Sequence, residues 1–457
     1  MRGTLQCPLQ LSETWKNERG KSMGIGVPKD RAETRFAEFK PPYNDAQALA
    51  EANRCLYCED APCIKKCPTS IDIPEFIRKI STGNLWGSAK TIFDANILGM
   101  SCARVCPVET LCVGDCVYNE MEAPPIQIGK LQRYATDHAF AKDWRFYEAG
   151  ADSGKSVALV GAGPASLAAA HELRRMGHAC TVYEKRDVVG GLNTTGIAPY
   201  KMKADRSVEE AAWILDIGGI DVKTGVEFGK DIDLAGLEAA HDAVFLGFGL
   251  GPDRYLPAPP EGLEGVFGSV DFIERFKLGE VSLDGIETAV VIGGGNTALD
   301  SVRELAGLGI PRVELIYRGQ ESGMSGYQHE WKAAKVEGVS ARWGTLPQAY
   351  VGNDKVEGIE CIDVDADKNP IAGSEHVVSC DLVLLAIGQG KLGQLLNGTD
   401  GIRIENGKIA VDEHGATGRA GVYAAGDCVN GGKEVVNAAA EGKRAATAID
   451  GFLRGAA

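Results

Sequence analysis

Seven cysteines stand in two short runs. Cys55, Cys58, Cys63 and Cys67 lie in C-L-Y-C-E-D-A-P-C-I-K-K-C-P, and Cys106, Cys112 and Cys116 follow further along. Such close spacing lets one turn of loop backbone aim several thiolates inward, as a cubane of iron and sulfide requires. Pro68, after the last cysteine of the first run, keeps a helix from beginning too early. In the bacterial ferredoxin pattern the fourth cysteine of such a run ligates the other cluster, so two interleaved 4Fe–4S clusters are expected. Their chemistry is one-electron transfer. Zinc in a tetrahedral thiolate cage is the competing use of C-x2-C pairs. The full pattern, C-x2-C-x4-C-x3-C-P and then C-x5-C-x3-C, fits zinc poorly.

Elements that position these residues, and a source of electrons, are found in the rest of the chain. From Lys155 a strand, Val157 to Val160, runs into Gly161-Ala162-Gly163-Pro164-Ala165-Ser166 and a helix ending near Gly177; a second strand, Thr181 to Tyr183, ends in Glu184. This is a βαβ dinucleotide unit. Its glycines permit a tight turn and close approach of a pyrophosphate, the helix N-terminus faces the phosphates, and the acid takes the ribose hydroxyls. The unit recurs with strand Ala289 to Ile292, then Gly293-Gly294-Gly295-Asn296-Thr297-Ala298 and a helix to about Leu308. One such motif is weak evidence, whereas two in the correct strand–turn–helix context are strong. A chain with two such folds is expected to hold a resident flavin and a visiting nicotinamide. Late in the chain, Gly421 to Asp427 reads G-V-Y-A-A-G-D, a strand ending in an acid expected to meet the flavin ribityl chain. The second fold is therefore read as inserted in the first.

The expected architecture is α/β: a disordered extension over 1–30, a helical cluster domain over 31–150, an FAD-binding domain over 151–283 and 391–457, and a nicotinamide domain over 284–390. Within the cluster domain, helical patterns run from Ile73 to Ile80 and from Leu85 to Phe93. Met23 is a second candidate start. At 457 residues and a net charge of −15, the chain has room for several cores and lacks the basic face that nucleic acid or a membrane surface requires. No apolar run is long enough to span a bilayer and no signal-peptide layout opens the sequence, so a cytoplasmic protein is expected. Thirteen cysteines, seven of them at metal-ligand spacing, favour a reducing compartment over disulfides. Cys7, Cys180, Cys361, Cys380 and Cys428 are scattered and carry no signal. His171 and His178, in a helix and its C-terminal turn, are expected at the surface, as are Lys443 and Arg444.

These motifs resemble the flavin and iron–sulfur oxidoreductases of the glutamate synthase small-subunit type, a family that also forms one half of dihydropyrimidine dehydrogenase. The resemblance covers the chain from about Arg31 onward. E-A-N-R-C-L-Y-C-E-D-A-P-C, L-C-V-G-D-C (Leu111 to Cys116), F-L-G-F-G-L-G (Phe245 to Gly251) and Gln132 in I-G-K-L-Q-R-Y are similar to the flavin- and NAD-binding part of the dihydropyrimidine dehydrogenase branch. The resemblance implies that Cys55, Cys58, Cys63 and Cys116 hold one cluster, and that Cys67, Cys106, Cys112 and the Gln132 amide hold the other. Cys102 matches a family cysteine that is not a ligand. For FAD the implied residues are Gly161, Ala162, Gly163, Pro164, Ala165, Glu184, Gly191, Leu192, Lys201, Gly426, Asp427 and Val435. For the nicotinamide dinucleotide they are Gly294, Gly295, Asn296, Thr297, Arg318, Ala386, Ile387 and Gly388. A neutral amide in place of thiolate would change the charge on its cluster.

NADPH-using relatives carry further basic residues after the second strand of the nicotinamide domain, to pair the 2′-phosphate. Here that stretch reads Tyr317-Arg318-Gly319-Gln320-Glu321, with Ser325 beyond, which favours NADH. The implied course of electrons runs from NADH to FAD, singly through two clusters, and out to a partner. By resemblance, that partner is an FMN-containing subunit that reduces uracil or thymine, in a hetero-oligomer with two copies of each chain. Alternatives are a glutamate synthase small subunit, feeding a large amidotransferase, and a transhydrogenase or ferredoxin reductase. A disulfide reductase would need a C-x2-C pair inside a nucleotide domain, and none follows Cys116.

Overall fold

A computed structural model of the protein describes residues 15–16, 22–23, 27 and 31–455. The expectation of a disordered extension over 1–30 falls, apart from the antiparallel pair Trp15–Lys16 with Ser22–Met23 and residue Val27, outside the described residues, as does Cys7.

The cluster domain is a set of short helices, Asp45–Ala52, Pro62–Lys66, Ile73–Ser81, Leu85–Ala95, Gly99–Val105 and Ile128–Ala141. Their starts are set locally. Asn44 and Gln47 form a reciprocal capping box, and the Asp72 and Asn84 side chains accept from Glu75 and Gly87 N–H groups. Ile73–Ser81 buries Ile73, Phe76, Ile77 and Ile80 on one face, as the spacing predicts.

Two parallel five-stranded sheets follow. The first runs Val422–Ala424, Ala243–Leu246, Ser156–Val160, Ala179–Tyr183, Ile220–Lys223. Its edge strand, Val422–Ala424, arrives only after the whole second sheet, so the second fold is an insertion in the first. The second sheet runs Ser340–Trp343, Arg312–Tyr317, Thr288–Ile292, Leu382–Leu385, Val266–Gly268. It takes in Val266–Gly268, upstream of residue 284, because a glycine motif marks only the strand it follows and gives no sign of an edge strand added ahead of it. Near-continuous burial along Thr288–Ile292 and Leu382–Leu385 is the mark of a sheet covered on both faces. A three-stranded antiparallel sheet, Thr345–Val351, Gly358–Asp363 and His376–Ser379, closes one side of the inserted fold.

Helix Val435–Leu453 lies across helix Pro164–Arg175, where a Cβ on Gly442 would stand 2.1 Å from the Ala165 carbonyl. This crossing corrects the expected surface placement of two histidines. His178 is buried, with Ser153 Oγ at 2.7 Å from Nδ1 and Asp450 at 2.8 Å from Nε2. His171 is buried edge-on to the Tyr147 ring, and burial pushes its pKa down to about 3, leaving the ring neutral. Lys443 is half-buried, its ammonium donating to the Asp94 carbonyl, while Arg444 is exposed. Cys180, Cys361, Cys380 and Cys428 are buried free thiols. Among the described residues no helix is long and apolar enough to cross a membrane.

Candidate cofactor and cluster sites

The cysteines gather around two cavities. Cys55, Cys58, Cys63 and Cys116 line the first, walled by Ile73, Ile77, Ile126 and Ile128. Helix Asp45–Ala52 stops before Cys55, and Tyr57 takes a left-handed φ of 53° that turns the chain between Cys55 and Cys58. Pro62 at the first position of the next helix sets its start, placing Cys63 on it and Cys67 just past its end. Cys67, Cys102, Cys106 and Cys112 line the second cavity with Gln132, Asn96 and Val436. Cys67 thus leaves the first run for the second cavity, and Cys116 leaves the second run for the first.

Gln132 is buried, 7 % exposed, and its Nε2 donates to the Gly99 carbonyl at 2.8 Å. That bond spends the amide's donor end and leaves its acceptor oxygen for the cavity. Cys102, expected not to be a ligand, is buried in the same cavity, and its thiol is hydrogen-bonded to Cys106, which, with burial, lifts the Cys106 pKa well above normal. Burial pushes the Cys63 thiol up to about 12, and raises Cys112 well above the usual range and Cys55 less far. Thiols crowded in apolar walls give up their protons only to a strongly cationic centre. Among the described residues no three His, Cys, Asp or Glu side chains converge on one ion-sized point. The donor set, thiols spread around a cavity with one amide oxygen, fits an iron–sulfur group in each.

The first dinucleotide turn lies at the C-terminal end of Ser156–Val160. Gly161 has φ +87°, and a Cβ there would stand 2.7 Å from the Gly247 carbonyl, so only glycine fits. Gly163 faces open space and precedes the helix with no side-chain cap, which leaves its first N–H groups for a ligand. In the first turn of that helix, Ser166 Oγ is buried without a partner. Ala162 and Ala165 are buried around the turn, with Pro164 at the first helical position. Glu184 is 5 % exposed, and its oxygens accept from Ala162 N at 2.7 Å and Arg186 N at 2.9 Å, which turns the carboxylate onto the glycine turn. Gly191 closes on it, since a Cβ there would reach 3.0 Å from Gly163 Cα, and Leu192 opens the short helix behind. Gly426 brings the chain back beside Ala165; Asp427 follows, its Oδ1 accepting from Lys433 N, with burial raising its pKa. Val435 opens the last helix. This cradle fits a dinucleotide. Lys201 points elsewhere: its Nζ lies 2.6 Å from Asp300 and 2.7 Å from Glu330, both in the inserted fold.

In the second turn a Cβ on Gly293 would meet the Ala386 carbonyl at 2.4 Å, and one on Gly294 would meet the Tyr317 ring at 2.6 Å. Gly295, Asn296 and Thr297 carry the turn into helix Asn296–Gly307, and Asn296 Oδ1 accepts from Tyr327 N at 3.0 Å. Ala386 and Ile387 are half-buried, and Gly388, φ +98°, is open. Arg318 is exposed and forms no ion pair among the described residues. Lys335, a base on the helix that follows, is paired with Glu321 at 2.9 Å. Two contacts absent from the sequence reading join this fold to its neighbours: Tyr327 Oη donates to Glu434 at 2.9 Å, and His329 stands 3.7 Å from Glu109.

The chain matches the family model "Dihydropyrimidine dehydrogenase domain II, 4Fe-4S cluster" over residues 31–144 and "Pyridine nucleotide-disulphide oxidoreductase" over 155–442. It is 35 % identical to a glutamate synthase [NADPH] small chain of Halomonas elongata, across 93 % of this chain and 95 % of that one. It is 34 % identical to the NAD-dependent dihydropyrimidine dehydrogenase subunit PreT of Escherichia coli, across 92 % and 97 %. A thioredoxin reductase structure from T. acidophilum shares the fold at a TM-score of 0.53 and 21 % identity, over 65 % of this chain and 98 % of that one.

Proposed function

The chain belongs to the iron–sulfur flavin oxidoreductases that include glutamate synthase small chains and NAD-dependent dihydropyrimidine dehydrogenase subunits, and from that premise we propose that it feeds NADH electrons to a pyrimidine-reducing partner. It is an NAD(P)H-dependent electron-transfer protein of a family of small subunits. In our reading, the partner carries FMN and reduces uracil or thymine to the 5,6-dihydro form.

The observation that supports this choice is the end of strand Arg312–Tyr317. A 2′-phosphate calls for two or more bases around it. Here Arg318 is the one base from Tyr317 to Glu321, and Lys335 already serves Glu321. An unphosphorylated ribose suits that surface better, and NADH accords with the pyrimidine branch rather than with an NADPH-dependent synthase.

When bound, the flavin takes a hydride from the nicotinamide and the clusters carry its electrons away singly. The chain's own residues bind, orient and exclude water. Gly161 to Ala165 and the open helix end receive a pyrophosphate, and Glu184 offers its carboxylate to ribose hydroxyls. Gly294 to Thr297 repeat the arrangement for the visiting nucleotide, with Ala386 to Gly388 as the opposite lip. Cys55, Cys58, Cys63 and Cys116 hold one cluster; Cys67, Cys106, Cys112 and Gln132 hold the other. Val436 lines the second cavity one residue beyond Val435, so that cavity lies beside the proposed flavin seat. No acid or base is needed for hydride transfer; positioning lowers the barrier.

Isolation of the native complex under anaerobic conditions tests the reading. The expected result is co-purification with an FMN-containing subunit, and a complex that consumes uracil with NADH. Recovery of a large glutamine-hydrolysing subunit, with NADPH preferred, would replace this reading with the glutamate synthase one.

A further inference from the structure

Lys40 belongs to none of the motifs above, yet the fold brings it against Cys106, which lines the second cavity. Its Nζ donates to the backbone carbonyl of Cys106 at 2.7 Å, across 66 residues of sequence. The residue is half-buried, with the Phe39 ring 5.0 Å from its ammonium. It forms no ion pair among the described residues. Glu38, two residues earlier, is committed to Arg104 and Arg133. Glu109 attracts the ammonium from beyond ion-pair distance and faces His329 instead. Burial disfavours the charge on Lys40, as does the nearby Lys201 ammonium, and Glu109, Cys106 and Cys112 act to retain it.

Bases near the first cavity are arranged differently. Arg54 is paired with Glu51 at 2.8 Å, Lys65 with Asp60 at 2.6 Å and Lys66 with Asp115 at 3.6 Å. Lys65 and Lys66 lie with their acids largely in solvent, Arg54 is held by the mostly buried Glu51, and Arg78, which stacks over Tyr57 with no ion pair among the described residues, is exposed, where its field is screened. Lys40 is unpaired among the described residues and partly desolvated as well, and the field of such a charge reaches a neighbouring site. A negative charge on the far side acts in the opposite sense: Glu434, two residues before the Val436 that lines the cavity. The Tyr327 hydroxyl holds its carboxyl, and burial raises its pKa, both of which blunt its effect.

We propose that Lys40 sets the reduction potential of the second cavity's cluster, making it the easier of the two to reduce. The inference rests on the two-cluster reading given above. The step is a one-electron reduction in which the electron comes from the reduced flavin and no bond of the chain is made or broken. The added negative charge is offset by the Lys40 ammonium beside Cys106. An electron leaving the flavin seat then settles first in the cavity next to Val436.

Redox titration of the anaerobically reconstituted full chain, followed by electron paramagnetic resonance, tests this in the wild type, Lys40→Met and Lys40→Arg. The second-cavity signal is identified as the one altered by Gln132→Cys. In Lys40→Met its reduction equilibrium is expected to fall about tenfold, which is about 59 mV for a one-electron couple. Lys40→Arg should keep the wild-type value, and the first-cavity signal should stay in place throughout. Unmoved midpoints in Lys40→Met, or an equal shift in Lys40→Arg, would reduce Lys40 to a structural pin and overturn the proposal. Should Lys40→Met fail to hold iron, Glu109→Gln is expected to raise the second midpoint alone, and no change there would also overturn it. Iron for a single cluster in the wild type would defeat the two-cluster reading itself, an outcome distinct from two clusters with unmoved midpoints.

Discussion

The two dinucleotide folds share one plan and differ at the residue that ends the second strand of each motif. In the first fold Glu184 is buried and turned onto the glycine turn, its oxygens taken up by Ala162 and Arg186 N–H groups. In the second, Tyr317 packs under Gly294 and Arg318 is left in solvent. A buried, pre-oriented acid suits a nucleotide that stays, and an exposed base at the rim suits one that comes and goes. Each is seamed to the cluster domain in its own way. Glu210, fully buried, ties the first fold to the cluster domain by accepting from Met100 N at 2.8 Å and from Ser101. Toward the cluster domain the second fold offers the half-exposed His329–Glu109 pair and an apolar seat for Phe36, whose ring meets Phe276 edge-on, and its Tyr327–Glu434 contact joins it to the first fold.

The strongest way to break the comparison is Gly161→Ala. The left-handed φ and the Gly247 carbonyl at 2.7 Å are expected to cost about 2–4 kcal/mol and most of the bound flavin, read as flavin per chain and thermal midpoint. Full flavin content in this variant would remove the first turn as its seat. Glu210→Gln tests the first seam. Burial raises the Glu210 pKa from 4.5 to about 7, so the protonated carboxyl is the form the fold favours. Its contribution is complete below pH 4.5 and is lost as pH rises through about 7, a fall of about 3 kcal/mol. Denaturant titrations from pH 4 to 8 should show that fall flattened in the glutamine variant.

Gly294→Ala sharpens the contrast from the other side. With Tyr317 in the way at 2.6 Å, the KM for NADH should rise about tenfold while the flavin stays bound, because a half-buried ring can yield where a backbone carbonyl cannot. Loss of flavin here would invert the assignment of resident and visitor. The smallest effect belongs to Arg318→Ala, where an exposed guanidinium contributes about 0.5–1 kcal/mol. NADH turnover should change by no more than a few-fold, with residual NADPH turnover falling more.

Local signals were legible in the sequence, and long-range ones were not. The glycine turns at Gly161 and Gly293 sit in strand–turn–helix segments of a few residues, so both folds and the insertion of one in the other could be read directly. Cysteine spacing likewise pointed to two interleaved sets, and the fold places those residues around two cavities. Gln132 alone reads as an exposed helix position; only the fold of Gly99–Val105 against Ile128–Ala141 buries it. The burial of His178 depends on Asp450 and the last helix, 272 residues away, and the position of Lys40 depends on a carbonyl 66 residues away. Cys102 carries no spacing signal that separates a thiol lining the cavity from a core thiol. Val266–Gly268 is three residues long, too short for alternation to show.

The most direct test of a resident flavin served by a visiting NADH is anaerobic reduction of the purified holoprotein by NADH and by NADPH, followed at the flavin absorbance. The account predicts rapid bleaching by NADH, with kcat/KM about tenfold or more above that for NADPH. Preference for NADPH, with slow bleaching by NADH, would contradict it.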